Sequence, residues 1–208
     1  MEFDGVDVVM PARNEAQKIA RVISVLKLHP GIGRVVVIVD GDTHDDTAAI
    51  ASAASGDSDV VCSGRTPQGK GQCVTLGLEY VRTPYVLLCD ADITGLTYDH
   101  ISLLIADATV GNRTMTLGVA DVDKDVPPAR IWAWRWVTGQ RCLPTNLVRP
   151  LHLIGYLMET QINRAAKESQ LALRFEWLRG LKSPYNMTDQ RIEEMQRDAE
   201  IGRRLGII

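Results

Sequence analysis

Residues 86–92, Val-Leu-Leu-Cys-Asp-Ala-Asp, form an apolar run that ends in two carboxylates one residue apart. A run this short, following the turn signal Thr83-Pro84, reads as a strand buried on both faces. Two negative charges at the end of such a strand repel each other, and each is costly to hold away from water without a cation. A hard divalent ion removes the conflict: Mg2+ or Mn2+ binds one or two carboxylates and keeps its other positions for water and phosphate oxygens. The simpler alternative is a strand-end turn in which Asp92 caps the next segment of chain.

Working outward, the same pattern recurs. Val6 to Met10 is a short apolar run stopped by Pro11, and Arg34 to Asp40 is a β-branched run too short for a helix. Between them Ala16, Ile19, Ala20, Ile23 and Leu26 fall at helical spacing, so Asn14 to Leu28 is predicted helical, with Asn14 as N-cap and His29-Pro30-Gly31 as the stop. A second helix is expected over Asp46 to Ala54, a strand over 59–63, a third helix over Gly71 to Tyr80, and a further strand over 115–122. Helices are expected from Leu151 to Leu178 and from Thr188 to Leu205, the latter capped by Thr188-Asp189. Strands alternating with helices predict an α/β fold, a Rossmann-like, mostly parallel sheet with helices on both faces and a helical C-terminal segment. In such sheets ligands sit at the carboxyl ends of the strands.

Asp-x-Asp alone says little, because this chain contains it at 40/42, 57/59, 90/92, 121/123 and 123/125. Asp57 and Asp59, and the 121–125 cluster, lie in polar stretches where carboxylates are expected to be solvated. Only 40/42 and 90/92 terminate apolar strands.

The chain has 208 residues, enough to bury a substantial core. Cys62, Cys73, Cys89 and Cys142 are dispersed with no Cys-x-x-Cys pair, which fits reduced thiols in a cytoplasmic setting. No signal-peptide pattern and no transmembrane run is expected. Charge is uneven: residues 1–126 carry 10 Lys and Arg against 18 Asp and Glu, whereas residues 127–208 carry 13 against 8. The first part is suited to holding a metal, and the second to facing an anionic substrate.

With these motifs in order, "VVMPARNE", "VIVDGDTHDDT", "GKGQCVTLGL" and "LLCDAD", the chain resembles the nucleotide-sugar half of a family 2 glycosyltransferase with the GT-A fold. The resemblance implies a donor loop of Pro11, Ala12, Arg13 and Glu15, with Glu15 on the ribose. It implies Asp40 on a uracil-type base or guanine, with Asp42 nearby. Gly69 and Gly71 would allow close backbone approach to the nucleotide, Lys70 would add positive charge there, and Asp90, Ala91 and Asp92 would form the metal and ribose end. Asp92 is the expected direct ligand of Mn2+ or Mg2+, with Asp90 beside it. For each there is a plainer reading: Arg13 and Glu15 as a surface salt pair, Asp42 with Asp45 and Asp46 as a helix-capping cluster, Gly-Lys-Gly as an ordinary turn.

On the acceptor side "TGQRCLPTNLVRPL" (138–151) and "GYLMETQIN" (155–163) resemble segments of polyprenyl-phosphate and glucosylphosphoglycerate-synthase-like enzymes. Arg141 and Glu159 are thereby implied in catalysis, Glu159 as base or acceptor binder. A downstream histidine ligand found in some of these enzymes has no counterpart, since no histidine follows Glu159; His152, at the wrong spacing, is expected in the core. Trp132, Trp134 and Trp136 among Arg130, Arg135 and Arg141 suit either stacking on a ligand or, as favoured here, packing on the sheet. The expected organisation is a nucleotide-sugar part over 1–126 and an acceptor side with C-terminal helices over 127–208, in one compact domain. The expected donor is a UDP- or GDP-sugar. A small phosphorylated molecule, a lipid phosphate and a hydroxymethylated base of phage-type DNA all remain open as acceptor, as do inversion and retention, and the tail offers a homodimer surface. Two rivals are a non-catalytic nucleotide-sugar-binding module and a sugar-nucleotide pyrophosphorylase; the glycine-free "PARNEAQ" loop weighs against the second.

Overall fold

The computed structural model describes residues 5–121 and 136–183, together with Glu193, Gln196, Arg197, Glu200 and Arg204, which are helical. In chain order the strands are β1 (Val6–Ala12), β2 (Ile32–Val39), β3 (Val60–Cys62), β4 (Tyr85–Leu88), β5 (Thr114–Ala120), β6 (Arg141–Pro144) and β7 (Ala172–Leu178). The helices are α1 (Ile19–Lys27), α2 (Thr47–Ala54), α3 (Lys70–Leu78), α4 (Tyr98–Thr109), a short α5 (Thr145–Val148) and α6 (Met158–Glu168), the last preceded by a 3-10 turn at Gly155–Leu157. The strands form one sheet in the order β3-β2-β1-β4-β6-β5-β7. β6 runs antiparallel to both β4 and β5, and the remaining pairings are parallel.

Alternation along the central strands builds two cores. Val8, Met10, Val35 and Val37 face α1, α2 and α4, where Ile23, Leu26, Ala51, Ile101 and Leu104 close over them. Val9, Val36 and Ile38 face α3, α5 and α6, against Val74, Leu78, Val148, Met158 and Ile162. The central strands are therefore apolar on both faces, as a doubly covered parallel sheet requires. The expected α/β architecture is present, and no helix among the described residues is long and apolar enough to cross a membrane. Cys73, Cys89 and Cys142 are buried and all four cysteines are unpaired. Burial pushes the Cys73 and Cys142 thiols up to about 12 and raises Cys89 as well, so these are packing groups rather than nucleophiles.

Four expectations are corrected. The helix predicted over 151–178 is broken: α6 ends at Glu168, Gln170 takes a left-handed conformation (φ 52°), and 172–178 is β7, paired with β5. Asn14 is not the N-cap of α1, which begins only at Ile19 with Lys18 at the cap position. Tertiary bonds claim the intervening residues instead: Asn14 Oδ1 accepts from His44 N (2.8 Å), and Glu15 N donates to Thr47 Oγ1 (2.7 Å). Asp59 is not solvated, since it pairs with Lys27 Nζ at 3.1 Å and accepts from Val35 N and Gly56 N. Burial works to raise its carboxyl, but those two amides and Lys27 hold it below the ordinary range. His152 is exposed rather than in the core. The Thr188-Asp189 cap lies outside the described residues.

At the amino-terminal end of β1, Asp7 is buried and accepts from Arg34 N (3.0 Å) and Arg82 N (2.7 Å), with Arg34 Nε at 3.6 Å. It thereby fastens β2 and the turn before β4 to β1. Asp7→Ala would strand those donors and is expected to cost about 2–4 kcal/mol, read as a lower urea midpoint with an unchanged m-value.

Candidate functional site

β1, β2 and β4 end at one edge of the sheet, and β6, running the other way, begins there. Past β4, Cys89, Ala91 and Ile93 are each 2% exposed and point into the core. Between these buried residues Asp90 and Asp92 are half-buried, and the chain turns at Ala91 and Asp92 beyond the end of β4. Ala91 can offer the site only its backbone.

The two acids enter different surroundings. Asp90 Oδ1 lies 2.9 Å from Lys70 Nζ, and Asp90 Oδ2 accepts from Gln140 Nε2 at 3.0 Å. Lys70, the first residue of α3, also donates to Glu159 Oε1 at 2.9 Å, from the first turn of α6. Burial works to lower the Lys70 pKa, but Asp90 and Glu159 more than reverse it, so the ammonium is held charged. Glu159 is 5% exposed. Gly139 fits against this cluster because it lacks a side chain: a Cβ there would stand 1.9 Å from Asp90 Oδ2.

Arg141, fully buried, stands one step behind. Its guanidinium donates to Thr138 O (3.0 Å from Nε) and Asn163 Oδ1 (3.1 Å from Nη1), and its charge is felt by Glu159 and Asp90. Burial lowers its pKa while Glu159 and Asp90 oppose the shift. With its donors committed to the protein, Arg141 fixes the 136–141 segment. Trp136 packs edge-on against Phe175, with ring centres 5.2 Å apart, and its carbonyl accepts from Asn163 Nδ2 at 2.7 Å. Trp132, Trp134, Arg130 and Arg135 lie outside the described residues.

The donor-loop residues line the same edge. Pro11 and Ala12 close β1, and Ala12 O accepts from Asp40 N at 2.8 Å. Arg13 lies near enough to lower the Cys73 thiol electrostatically. Glu15 is raised above the usual carboxylate range, first by burial and then by Asp92, with Lys18 at 3.5 Å pulling the other way. The Asp92 charge is thus felt at Glu15. Asp40 is 5% exposed, and its oxygens accept from Asp42 N (2.9 Å) and Gly69 N (2.7 Å), tying the β2 loop to the start of α3. Asp42 lies 3.4 Å from His44 Nε2, while Asp45, not Asp42, bonds Thr47 N at the start of α2.

The glycines serve a purpose beyond the one expected of them. Gly69 needs its freedom for φ 101°, which sets Lys70 at the helix start. A Cβ on Gly71 would meet the backbone of Ile154 and Gly155 at 2.7 Å, so Gly71 admits the 154–155 loop. Gln72 Oε1 accepts from Gly155 N at 3.0 Å and locks that contact. Gln140, Gln72, Asn163 and Lys18 were not among the expected site residues. Gln140 had a signal, its place beside Arg141 in "TGQRC", and Lys18 lies one helical turn from Glu15; Gln72 and Asn163 act across long sequence separations and had none.

Residues 7–179 match the family described as Glycosyl transferase family 2. No curated protein matches the chain. Among solved structures, glucosyl-3-phosphoglycerate synthase from Mycobacterium tuberculosis in complex with Mn2+ and UDP-glucose is similar at 21% identity, over 98% of this chain and 80% of that one, with a TM-score of 0.75. The same enzyme with Mn2+, UDP-glucose and glycerol 3-phosphate matches at 19% identity, over 98% and 81%, with a TM-score of 0.75. A structure described as a mycobacterial protein matches at 18% identity, over 94% and 75%, with a TM-score of 0.72. Likeness at these identities establishes the fold, the GT-A arrangement expected from the motifs.

Replacing Lys70 by Met would leave Asp90 and Glu159 without their shared cation. The loss is expected to be about 3–5 kcal/mol. In the unaltered protein Lys70 is raised above its ordinary 10.5. Its contribution is therefore fully present below that pH and lost only above it. Denaturant melts of both proteins at about pH 7 check the loss.

Proposed function

The chain belongs to glycosyltransferase family 2, and on that premise we propose that it moves a sugar from a UDP- or GDP-sugar to the hydroxyl of a small phosphorylated acceptor, with Mn2+ or Mg2+ at the donor diphosphate. The observation that carries this reading is the joining of donor-side and acceptor-side motifs through Lys70, which bonds Asp90 and Glu159 at 2.9 Å each.

The residues fit a divalent ion at the outer pair. Glu15 and Asp92 bring like charge together at the mouth of the site. Asp92 is the proposed direct ligand, with Asp90, which bonds Lys70 and Gln140, beside it. Among the described residues no group of three or more His, Cys, Asp and Glu is placed to hold a metal, which fits an ion whose remaining positions belong to water and diphosphate oxygens. Such an ion would supply charge neutralisation to the leaving diphosphate.

The chain's own groups do the rest. Glu15 and the 11–13 backbone receive the nucleoside, and Asp40 shapes its floor by holding Gly69 and Asp42. Lys70 directs positive charge toward the departing diphosphate. Glu159 Oε1 is occupied by Lys70, leaving Oε2 to accept from the acceptor hydroxyl, as base or orienting group. A phosphorylated acceptor accords with the positive balance of residues 127–208. It also accords with the solved structures, in which the mycobacterial synthase is described with phosphoglyceric acid or with glycerol 3-phosphate. Four unpaired cysteines suit a reducing cytoplasm.

Calorimetric titration with UDP and with GDP, each with and without Mn2+, tests the donor half. Metal-dependent binding of one of them is expected, and no binding to either would overturn the reading. Asp92→Ala is expected to abolish the metal-dependent component while leaving the thermal melt unchanged. Glu159→Gln, which still accepts from Lys70, is expected to lower turnover by about 10²–10⁴ with donor affinity nearly intact; an equal fall in donor affinity would make Glu159 structural.

A further inference from the structure

At the opposite end of the sheet, where β4 and β5 begin and β6 ends, lies an open hollow of about 480 Å3. Such a size is ample for a small ligand. Its walls include Arg82, Arg113 and Arg149, with Tyr85, Thr145 and Asn146 between them, and among the described residues no carboxylate lines it. Three guanidiniums around one concavity repel each other, and the nearest acids are committed elsewhere. Asp7 is taken by Arg34 and the Arg82 backbone amide. Asp107 is taken by Thr116, Asn112 and Arg174.

The arginines are also available. The side chains of Arg82 and Arg113 make no hydrogen bond or ion pair to another described residue. Arg149 donates from Nη2 to Val81 O at 2.6 Å, which orients its guanidinium while leaving the other donors of the fork. The floor is fixed: Thr145 Oγ1 donates to Thr83 O at 2.9 Å and the Tyr85 hydroxyl to Asn112 O at 2.9 Å. A rigid, concave, acid-free surface bearing several forked donors matches the oxygens of a phosphate group.

We infer that this hollow is a second binding site, separate from the donor site, for a small phosphate-bearing anion. Three arginines grouped in one concavity fit a single phosphate or diphosphate, whereas a nucleic-acid strand needs basic groups spaced along a track.

The full chain would be titrated with pyrophosphate in EDTA at constant ionic strength, following backbone amide resonances. Saturable shifts are expected at Thr83, Tyr85, Thr145 and Asn146, and not at Gly69 or Gln140 at the donor end. Arg113→Gln and Arg82→Gln alter side chains that bond nothing described, so both variants are expected to fold and to weaken binding about tenfold each. Arg21→Gln, the same charge loss on α1, should change little. Shifts confined to the donor end, equal weakening by all three variants, or no saturation would overturn the inference. So would tighter binding of a short single-stranded oligonucleotide at the same amides.

Discussion

One ammonium placed between two carboxylates organises the catalytic end of this molecule. Lys70 Nζ is 2.9 Å from Asp90, at the end of β4, and 2.9 Å from Glu159, on α6. The two acids come from stretches 69 residues apart in the numbering and would repel each other if the lysine were removed. Because the cluster is largely out of water, releasing Lys70 would expose both acids to an uncompensated charge, at a cost of about 3–5 kcal/mol. Lys70 is therefore held in its seat between the two carboxylates. The buried Arg141 adds a second fixed positive charge behind Glu159 and Asp90. Two cations and two anions thus form a compensated inner cluster.

The reversed strand makes the arrangement possible. Because β6 alone runs against its neighbours, its beginning lies beside the end of β4, with Leu88 opposite Arg141. That register brings Gln140 to Asp90 and sets Gly139 against the Asp90 carboxylate with no room for a methyl group. On the far side Gly71 admits the 154–155 backbone, which leads straight into α6 and Glu159. Two glycines at closest approach therefore set how near the 139–141 and 154–159 segments stand to β4 and α3, and close-packed contacts of this kind leave little slack.

Much of this was legible in the sequence, and the failures have physical causes. Strands β1 to β4 were visible because burial on both faces demands near-continuous apolar runs. β6 was not, since Arg-Cys-Leu-Pro is short and carries a buried arginine whose partners are the Thr138 carbonyl and the Asn163 side chain. β7 carried a signal that went unused: Leu171, Leu173, Phe175 and Trp177 alternate with Ala172, Arg174 and Glu176, a period of two lost beside the helical pattern of α6. Asp40 and Asp90 stood out in the sequence because they follow the ends of apolar strands. The Lys70–Glu159 bond was not, because no local pattern reports a contact across 89 residues. Asp59 looked solvated among Gly, Ser and Asp, yet two amides and Lys27 justify its burial.

The Asp-x-Asp element also proves to be less a pair than a junction. If its two carboxylates shared one ion symmetrically, both would need free oxygens on the same side. Instead Asp90 has one oxygen on Lys70 and the other on Gln140, so its charge is compensated by the protein. Asp92, two residues further on, is felt at Glu15, and burial together with Asp92 raises the Glu15 carboxyl. The unfavourable electrostatics that call for a divalent cation thus lie between the β4 loop and the β1 loop rather than within the motif. The alanine between the two aspartates is buried in the core, while Asp90 before it is tied to Lys70 and Gln140, so the inner carboxylate of the motif fastens the end of β4 to the start of α3 and to the segment that enters β6.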